Sequence, residues 1–487
     1  MTMNNQRLAS DVPVQSASEA AAEIADNATL LVSGFGSVGY PKAVPIALAE
    51  SERDLSLTVV SGGSVGEEID VRLVEAGAID RRYPYQARQP ARNAVNDGRI
   101  AFHDRNISSL GDEVQYGGLA DGDIAVVEAL TVGDDWLVPT MSIGQTPAFI
   151  ESAEKLIVEV NTAIPRELRA FHDIYRPGRP PDRDPIPLTS PGGRIGDNRI
   201  EFDPEKLVAV VETDRRDQSY EFRDPTDNDR AIAAHLRSFL EDEVERSPLF
   251  NESLRIQFGV GSLGNALMGA LGDADFGDRS LIYFGEVFQD GLLDLLDDGT
   301  LHAASATSLA LSNDGQERLF EHVEQYAQNV VLRPADLSNN STLIDRFGVV
   351  SVNSALEIDL FGHVNSTHIN GTHAMNGVGG SGDFNRHSPL AVLALSSTAT
   401  NKDISRIVPM VPHVDHTEHD IDVVITEQGV ADLRGKAPRE TAASLIENCA
   451  HPNYQDALQA YLDRGLQHGG HILHDLDTAL DRYSDRR

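Results

Sequence analysis

The residues before Glu286 make it a candidate for a catalytic side chain. Glu286 ends the segment RSLIYFGE (279–286), in which a β-like run is followed by a glycine. In an open parallel sheet, the carboxyl ends of the strands form the edge where ligands bind. A carboxylate at that edge can act on a bound ligand. This placement makes Glu286 a stronger candidate than the other acidic residues, which are expected to be solvated.

Two glycine-rich loops share one pattern. Residues 34–39 read GFGSVG and residues 259–264 read GVGSLG, each after a β-like run and before a helical pattern. The spacing matches the dinucleotide-binding fingerprint, which also needs an acidic residue at the end of the next strand. The first half ends that strand in TVVSGG without an acid, whereas the second ends in YFGE. We therefore expect the glycines to let backbone amides of these loops approach an anion or an oxyanion. Binding of a nicotinamide cofactor is the alternative.

Two further stretches could contribute to a site. Residues 370–385, NGTHAMNGVGGSGDFN, are rich in glycine but carry apolar residues that flexible linkers rarely have. This composition favours a loop that closely approaches a ligand over a surface linker. Glu427 follows the predicted strand IDVVIT (421–426), so it is a second carboxylate at a strand end.

Three histidines recur every third residue, at His413, His416 and His419. On a helix this spacing would place them on one face, as metal ligands require. The flanking sequence is not helix-like, and Cys449 is the only thiol. We therefore expect no metal site, and we expect Cys449 to be a small buried residue in a helix over 442–450.

An internal duplication organises these residues. The first glycines of the two loops lie 225 positions apart (259 minus 34), and the pattern of strand, loop, helix and second strand recurs. The Pro- and Gly-rich residues 177–197 predict an irregular excursion, and KLVAVVET (206–213) predicts a buried strand. We predict two similar α/β domains with open, mostly parallel sheets, over residues 1–224 and 225–487, with Glu286 in the second.

The composition excludes several classes of protein. The 487 residues carry 76 acidic and 40 basic side chains, a net charge of −36. Binding of nucleic acid or of an anionic membrane needs the opposite balance. The acids are spread along the chain and lysine is scarce, which favours a surface adapted to high salt over an acidic tail. The N-terminus resembles no signal peptide and no apolar run could span a bilayer, so we expect a cytoplasmic protein.

Several segments together resemble the acetyl-CoA hydrolase/transferase family. They include GFGSVGYPKAVPIAL, RRYPYQ, FGVGSLGNAL, FGEVFQDGLLDLLDDG, ASATSLALS, EIDLFGHVNSTHINGTHAMNGVGGSGDFNRHSPL and IVPMVPHVDHTEHDIDVVITEQGVADLRG. The resemblance extends from about residue 30 to 455, and the succinyl-CoA:acetate CoA-transferase branch is the most similar. It implies two domains of the CoA-transferase, ribose-phosphate-isomerase-like type, and a homodimer.

The resemblance also implies roles for particular residues. Glu286, in GEVFQDG, corresponds to the active-site glutamate, and Asn339, in LSNN, to an asparagine that positions the glutamate or substrate. Glu427, in TEQG, corresponds to a further site carboxylate. Oxyanion- and CoA-binding backbone is implied for four residues of the GVG and GGSGD segments: Val260, Gly261, Gly379 and Gly380.

One departure from the family pattern concerns the acceptor. The family often has Asp-Arg after the strand that reads VVET here, whereas this chain has Asp217-Gln218. An arginine that lines the site is thus missing, unless Arg215 or Arg216 replaces it.

Three functions remain as alternatives from the sequence. The first is transfer of CoA between small carboxylic acids, with acyl-CoA as substrate and no permanently bound cofactor. The second is hydrolysis of acyl-CoA, and the third is a ligand-binding module without turnover. An intact Glu286 and its glycine loop argue against the third.

Overall fold

The protein is described by a computed structural model that covers residues 7–9, 11–218, 223–399 and 404–484. The chain forms two compact units. Unit one comprises Met1–Glu221, Tyr283–Leu296 and His302–Leu343, and unit two comprises Phe222–Ile282, Asp297–Leu301 and Ile344–Arg487. The first division falls three residues from the predicted boundary at 224. Unit one also includes two segments from the sequence assigned to the second domain, and one of them contains Glu286.

Residues before the first division form most of unit one. The strands are β1 Thr29–Val32, β2 Leu57–Ser61, β3 Ile79–Tyr83, β4 Ala101–Phe102, β5 Ile124–Val132, β6 Trp136–Pro139, β7 Lys155–Asn161, β8 Ile200–Glu201 and β9 Leu207–Thr213. The α-helices are α1 Ala17–Ala22, α2 Ala43–Ala49, α3 Gln89–Asn96, α4 Ile107–Gln115 and α5 Thr146–Ser152. A π-helix spans Glu68–Leu73, and 3-10 helices span Arg166–Phe171 and Pro204–Lys206.

The next part of the chain alternates between the two units. Its α-helices are α6 Asp227–Arg246, α7 Ser262–Gly272, α8 Asp290–Asp297, α9 Asn313–Glu321, α10 Val323–Tyr326, α11 Ala335–Ser338 and α12 Ser341–Phe347. Its strands are β10 Ser253–Phe258, β11 Ser280–Phe284, β12 Val287–Phe288, β13 Leu301–Ala306, β14 Ser308–Leu309 and β15 Val330–Leu332. A 3-10 helix spans Pro248–Phe250.

The remaining residues belong to unit two. The strands are β16 Val350–Asn353, β17 Glu357–Asp359, β18 Val364–Asn365, β19 His368–Ile369, β20 His373–Ala374, β21 Leu390–Ala394, β22 Thr398–Ala399, β23 Ile404–Ser405, β24 Ile407–Val408, β25 Val423–Thr426 and β26 Gly429–Asp432. The helices are α13 Ser381–His387, α14 Pro438–Asn448, α15 Pro452–His468 and α16 Asp481–Ser484.

A nine-stranded, mostly parallel sheet forms the centre of unit one. Its strands follow the order β4-β3-β2-β1-β5-β6-β8, and β7 pairs with both β5 and β9. Only β6 adds antiparallel pairs, to β5 and β8. Every residue of β5 is buried, as expected for a strand covered on both faces. One core cluster packs α1, α2 and the 68–73 helix on this sheet.

Unit two repeats part of this arrangement. Strands β10, β16, β21 and β25 are neighbours in a parallel run, and β26 closes it with an antiparallel pair. The corresponding parallel run in unit one is β1, β5, β7 and β9. In both runs, the strand before the glycine loop pairs with a strand far along the chain. The predicted duplication and the predicted α/β class are therefore both found.

Two features complete the description. A capping box at Thr226 and Asp229 begins α6, the long helix that follows the first division between the units. In the part of the chain that the structure describes, no helix is both long and apolar enough to cross a bilayer.

Candidate active site

Glu286 lies directly after β11, and its main chain is held on both sides. The Gly285 amide donates to the Ser305 carbonyl at 3.0 Å, and the Glu286 carbonyl accepts from Thr307 and Ser308 at 2.8 and 3.1 Å. Strand β12 then pairs with β14, with Val287 opposite Ser308. The glutamate is half-buried. Its backbone is therefore fixed by the neighbouring segment of unit one while its side chain keeps partial access to solvent.

The structure brings Asn339 to this glutamate. Asn339 Nδ2 donates to Glu286 Oε1 at 2.6 Å, and the asparagine is fully buried at the end of α11. The Ser338 hydroxyl donates to Asn339 Oδ1 at 2.8 Å, which directs the amide nitrogen towards the carboxylate. A hydrogen bond to an ionised acceptor is stronger than one between neutral groups. Asn339 therefore orients the Glu286 carboxylate.

Sequence reasoning missed the residues that hold α11 in place. Arg176 Nη1 bonds Asp336 Oδ2 at 2.6 Å, and the Ala335 amide donates to the Gly144 carbonyl at 2.9 Å. Thr307 connects both sides, because its hydroxyl donates to the Arg333 carbonyl and accepts from the Gly144 amide. Thr307 lies in ASATSLALS, one of the segments that carry the family resemblance. That resemblance was the only feature of the sequence that pointed to these residues.

Tyr283 is next to this site but is already engaged. Its hydroxyl donates to the Val287 carbonyl at 2.9 Å, and the residue is fully buried. Burial and the charge of Glu286 both raise the pKa of Tyr283 above its ordinary value. Tyr283 therefore stays protonated, and we assign it a structural role.

The first glycine loop packs tightly against its neighbours within unit one. A Cβ at Gly34 would lie 2.7 Å from Tyr40 Cβ, and one at Gly39 would lie 2.8 Å from the Ser142 amide nitrogen. Gly36 lies against Ser308, where a Cβ would be 3.1 Å from the hydroxyl. All three glycines have positive φ. The loop thus supports the segment that holds Glu286, and its glycines are required by this close packing.

A buried charge cluster holds this loop. Lys42 Nζ pairs with Glu128 and with Asp217, the latter at 2.8 Å, and all three side chains are completely buried. Asp217 also accepts from the Gly39 amide at 3.1 Å. Glu159 accepts the amides of residues 42–44 at the start of α2, at 2.6–2.9 Å. Asp217, which precedes the departure at Gln218, is therefore part of the scaffold.

The arginines beside Gln218 have separate surroundings. Arg216 forms an exposed ion pair with Glu317 at 3.4 Å. The Arg215 carbonyl accepts a hydrogen bond from Asn161 at 2.6 Å. Neither contact involves Glu286. The idea that Arg215 or Arg216 substitutes for the arginine that the family often has at the position of Gln218 therefore stays a prediction.

The second glycine loop, in unit two, is open. Val260 is 44% exposed, and no described atom lies within 4 Å of a Cβ built at Gly261. Gly261 has φ 141° and ψ 176°, a conformation essentially restricted to glycine. Gly264 instead packs against the Gly259 carbonyl. Val260 and Gly261 therefore present backbone that a ligand can approach.

A buried amide network lies behind this open loop. Asn353, at the end of β16, exchanges hydrogen bonds of 3.2 Å with Gln257 and donates to Asn385 Oδ1 at 2.7 Å. Asn353 Oδ1 would lie 3.2 Å from a Cβ at Gly259. Because Asn385 belongs to α13, Asn353 joins the strand before the glycine loop to the helix that follows Gly380.

Gly379 and Gly380 form the turn that leads into α13. Gly379 has φ 60°, and the Gly380 carbonyl accepts from the Phe384 amide at 3.0 Å. The Ser381 hydroxyl donates to the Val378 carbonyl at 2.7 Å and lies 3.2 Å from His416 Nε2. The predicted site loop thus ends in a hydrogen-bonded turn.

Glu427 is held by Ser397 and by the Gln428 side chain, whose Nε2 donates to Oε1 at 3.1 Å. The Ser397 amide and hydroxyl donate to its two oxygens at 2.7 and 2.5 Å. Burial alone would raise the pKa of Glu427, but these hydrogen bonds outweigh it and hold the pKa below its ordinary value. Glu427 therefore stays ionised and anchored on Ser397 near neutral pH.

The three regularly spaced histidines do not share a centre. His413 pairs with Asp415 at 3.1 Å, His416 contacts Ser381, and His419 lies 3.5 Å from Glu418. Within the described ranges, they form no common group of potential metal ligands. Cys449 is fully buried directly after α14, as predicted.

The candidate residues are divided between the units. Glu286 and Asn339 belong to unit one, where they are in direct contact. The other five candidates, Val260, Gly261, Gly379, Gly380 and Glu427, belong to unit two.

Comparisons with known proteins agree with the resemblance seen in the sequence. Residues 4–212 match the acetyl-CoA hydrolase/transferase N-terminal domain, and residues 315–462 match the corresponding C-terminal domain. The chain is 41% identical to a succinyl-CoA:acetate CoA-transferase of Clostridium kluyveri, over 95% of this chain and 87% of the relative. It is 40% identical to an acetyl-CoA hydrolase of Candida glabrata, over 91% of this chain and 88% of the relative.

A solved structure gives the fold. The 4-hydroxybutyrate CoA-transferase of Porphyromonas gingivalis aligns with a TM-score of 0.62 at 21% identity. The alignment covers 93% of this chain and 97% of that one. At this identity the likeness concerns the fold, which is of the CoA-transferase type that the sequence predicted.

Proposed function

This chain belongs to the acetyl-CoA hydrolase/transferase family, and we propose that it transfers coenzyme A between small carboxylic acids through Glu286. Acetate, propionate and succinate are the acids that we consider first. The observation that carries the proposal is the 2.6 Å hydrogen bond from Asn339 to Glu286. A surface glutamate needs no such partner, whereas a nucleophile gains from a fixed orientation.

The proposed reaction conserves atoms and charge at each step. A Glu286 oxygen attacks the thioester carbonyl, a C–O bond forms, the C–S bond breaks, and CoA leaves as a thiolate. The thiolate then attacks the glutamyl carbonyl of the mixed anhydride, which forms the Glu286–CoA thioester and releases the first carboxylate. A second carboxylate reverses these steps and regenerates Glu286.

Backbone amides are proposed to stabilise the oxyanion of each tetrahedral intermediate. Val260 and Gly380 are the proposed donors, and the open conformation of residues 260–261 supports the first of them. A preorganised donor of this kind is worth about 3–4 kcal/mol of barrier height. Glu427 is proposed as a further site carboxylate, fixed by Ser397.

Hydrolysis is the second candidate, since a relative 40% identical to this chain is an acetyl-CoA hydrolase. In that reaction, water would take the acyl group from the anhydride or open the thioester. The two functions share Glu286, so an assay has to distinguish them.

The deciding assay measures CoA exchange. Acetyl-CoA is incubated with the full chain, with and without succinate or propionate, and new acyl-CoA and free CoA are quantified. Transfer predicts a new acyl-CoA that requires the added acid. Release of CoA at the same rate with and without any acid would contradict transfer and support hydrolysis.

A second measurement tests the covalent step. Mass spectrometry of protein quenched during turnover should find CoA attached to the peptide that contains Glu286. A matched variant of an exposed glutamate without a proposed site role, Glu205→Gln, should still form this adduct, whereas Glu286→Gln should not. An adduct on another peptide would refute the assignment.

The proposal also includes activity at high salt and assembly as a homodimer. The charge of −36 supports activity at high salt, where surface carboxylates are screened. The family resemblance supports a homodimer. Assays in molar potassium chloride and light scattering at the same salt concentration test both.

A further inference from the structure

Two histidines and an aspartate form a group that no step of the proposed reaction uses. Asp359, His363 and His474 each offer a ligand atom, and these atoms all lie within 4.8 Å of one another. All three residues belong to unit two. Imidazole nitrogens with one carboxylate oxygen are the donors that Zn²⁺ and similar divalent transition metals take.

Asp359 is a prepared ligand at the end of β17. It is 1% exposed, and its Oδ1 accepts the amides of Phe361 and His363 at 2.9 and 3.0 Å. Oδ2 lies 3.4 Å from the Val411 amide and 3.3 Å from His363 Nδ1. Both distances are longer than a strong hydrogen bond, so Oδ2 is the oxygen that a cation would use.

A second carboxylate orients His363. His363 Nε2 lies 3.0 Å from Glu418 Oε2. When Nε2 donates to Glu418, the neutral ring has its lone pair on Nδ1, on the side of Asp359. Gly362, with φ 96°, allows this approach, because a Cβ there would lie 3.3 Å from Glu418 Cβ. Carboxylates commonly hold metal-binding histidines in this way.

His474 is held in the same manner from the C-terminal segment. Its Nδ1 lies 2.9 Å from the Tyr461 hydroxyl, and its ring packs edge-on against Phe361 with centroids 4.5 Å apart. Its other nitrogen, Nε2, is then the one available as a ligand. Each histidine thus has one nitrogen fixed by an outer partner, as ligating histidines usually do.

We propose that Asp359, His363 and His474 bind a divalent transition-metal ion of the zinc type. The ion links the turn after β17 to the segment that follows α15. Three protein ligands leave a coordination position for water. The proposal concerns binding of the ion, and it does not depend on the function proposed for Glu286.

Calorimetry tests this site directly. Zinc chloride is titrated into the tag-free full chain after dialysis against a chelator. We expect one equivalent to bind, with affinity at least about tenfold weaker in His363→Gln and in His474→Gln. Zinc should raise the Tm of the wild type and raise that of these two variants less.

Matched variants control for adventitious binding. His471→Gln removes an exposed histidine three positions from His474. His413→Gln disrupts a pair of tilted rings, His368 and His413, whose centroids lie 4.1 Å apart. Both controls should bind zinc like the wild type. Unchanged affinity in His363→Gln and His474→Gln, or loss only in His413→Gln, would overturn the proposal.

A measurement on the wild type covers the case in which the variants do not fold. X-ray absorption of the chain loaded with one zinc equivalent should show nitrogen and oxygen ligands at about 2.0–2.2 Å, with imidazole scattering. A spectrum of hydrated zinc alone would refute the site.

Discussion

The two glycine loops have the same sequence pattern but different surroundings. In unit one, Gly34 and Gly39 are packed so closely that side chains there would collide with Tyr40 and Ser142. In unit two, Gly261 faces open space and Val260 is exposed. The motif therefore does not define a ligand site by itself. What decides the function of such a loop is whether its neighbours or a ligand fill the space that its glycines leave.

The residues that follow the second strand of each half differ in the same way. Gly63 occupies the position that corresponds to Glu286, and a Cβ there would lie 3.1 Å from the Phe35 ring. Packing against the first glycine loop leaves little room for a longer side chain. Glu286 has instead a polar partner in Asn339. Under the proposed function, one half of the duplication supports the site and the other supplies the reacting carboxylate.

The largest expected effect is on kcat, and it distinguishes Glu286 from the corresponding residue Gly63. Glu286→Ala should lower kcat for CoA transfer by about 10⁴-fold or more, because the nucleophile is lost. Gly63→Ala should leave kcat within a fewfold of wild type, since it removes no reacting group. Steady-state rates with acetyl-CoA and succinate measure both. Full activity in Glu286→Ala would remove the distinction between the halves.

The next effect tests the partner of the glutamate. Asn339→Ala should lower kcat by about 10²-fold, the loss typical of a single preorganised hydrogen bond in an active site. Asn340→Ala is the control, because Asn340 caps α12 through its contacts with the amides of Thr342 and Leu343. It should reduce thermal stability but retain kcat. Equal losses of kcat would show that helix placement, rather than the Asn339 contact, matters.

Substitutions at Gly39 and Gly261 compare a tightly packed glycine with one that faces open space. Gly39→Ala combines positive φ with a collision at Ser142, whereas Gly261→Ala meets backbone strain alone. We expect Gly39→Ala to lower the free energy of unfolding by about 1–3 kcal/mol more than Gly261→Ala, the usual cost of overpacking. Urea unfolding measures the difference. Gly261→Ala should in turn have the lower kcat/KM among folded molecules, and the reverse order would contradict the comparison.

The smallest effect concerns the charge of Glu427. Its pKa is lowered in the folded state, so its ionised form contributes stability above the ordinary glutamate pKa. That contribution is lost as the pH falls through the folded pKa. Glu427→Gln should therefore be less stable than wild type at pH 7 by under about 1 kcal/mol, and the gap should narrow as the pH falls below the ordinary glutamate pKa of about 4.3. Unfolding curves at both pH values test the sign.

The sequence was a good guide to local and repeated features. The duplication and the strands before both glycine loops were predictable from recurring sequence patterns, and the burial of Cys449 was predictable from its small apolar side chain. The position of Glu286 just after β11 was predictable from the β-like run that precedes it, whereas its catalytic role stays a prediction. The family resemblance implied that Asn339 positions either the glutamate or the substrate, and the structure places it in contact with the glutamate.

Other features depend on contacts that no short pattern encodes. The charge cluster of Lys42, Glu128 and Asp217 joins residues up to 175 positions apart (217 minus 42). His474 reaches Asp359 across 115 positions (474 minus 359), whereas the regularly spaced histidines at 413, 416 and 419 have separate partners. The grouping of residues 283–343 largely with the N-terminal part is likewise a product of tertiary packing.

The burial of Lys42 has a practical consequence for an enzyme that handles acylating substrates. Burial disfavours its charge, but Asp217 and Glu128 outweigh this and raise its pKa above the ordinary value. A protonated amine without solvent access does not react with thioesters or with amine-directed labels. Modification of Lys42 therefore requires unit one to open, which makes this lysine an internal reporter of unfolding that peptide mapping can read.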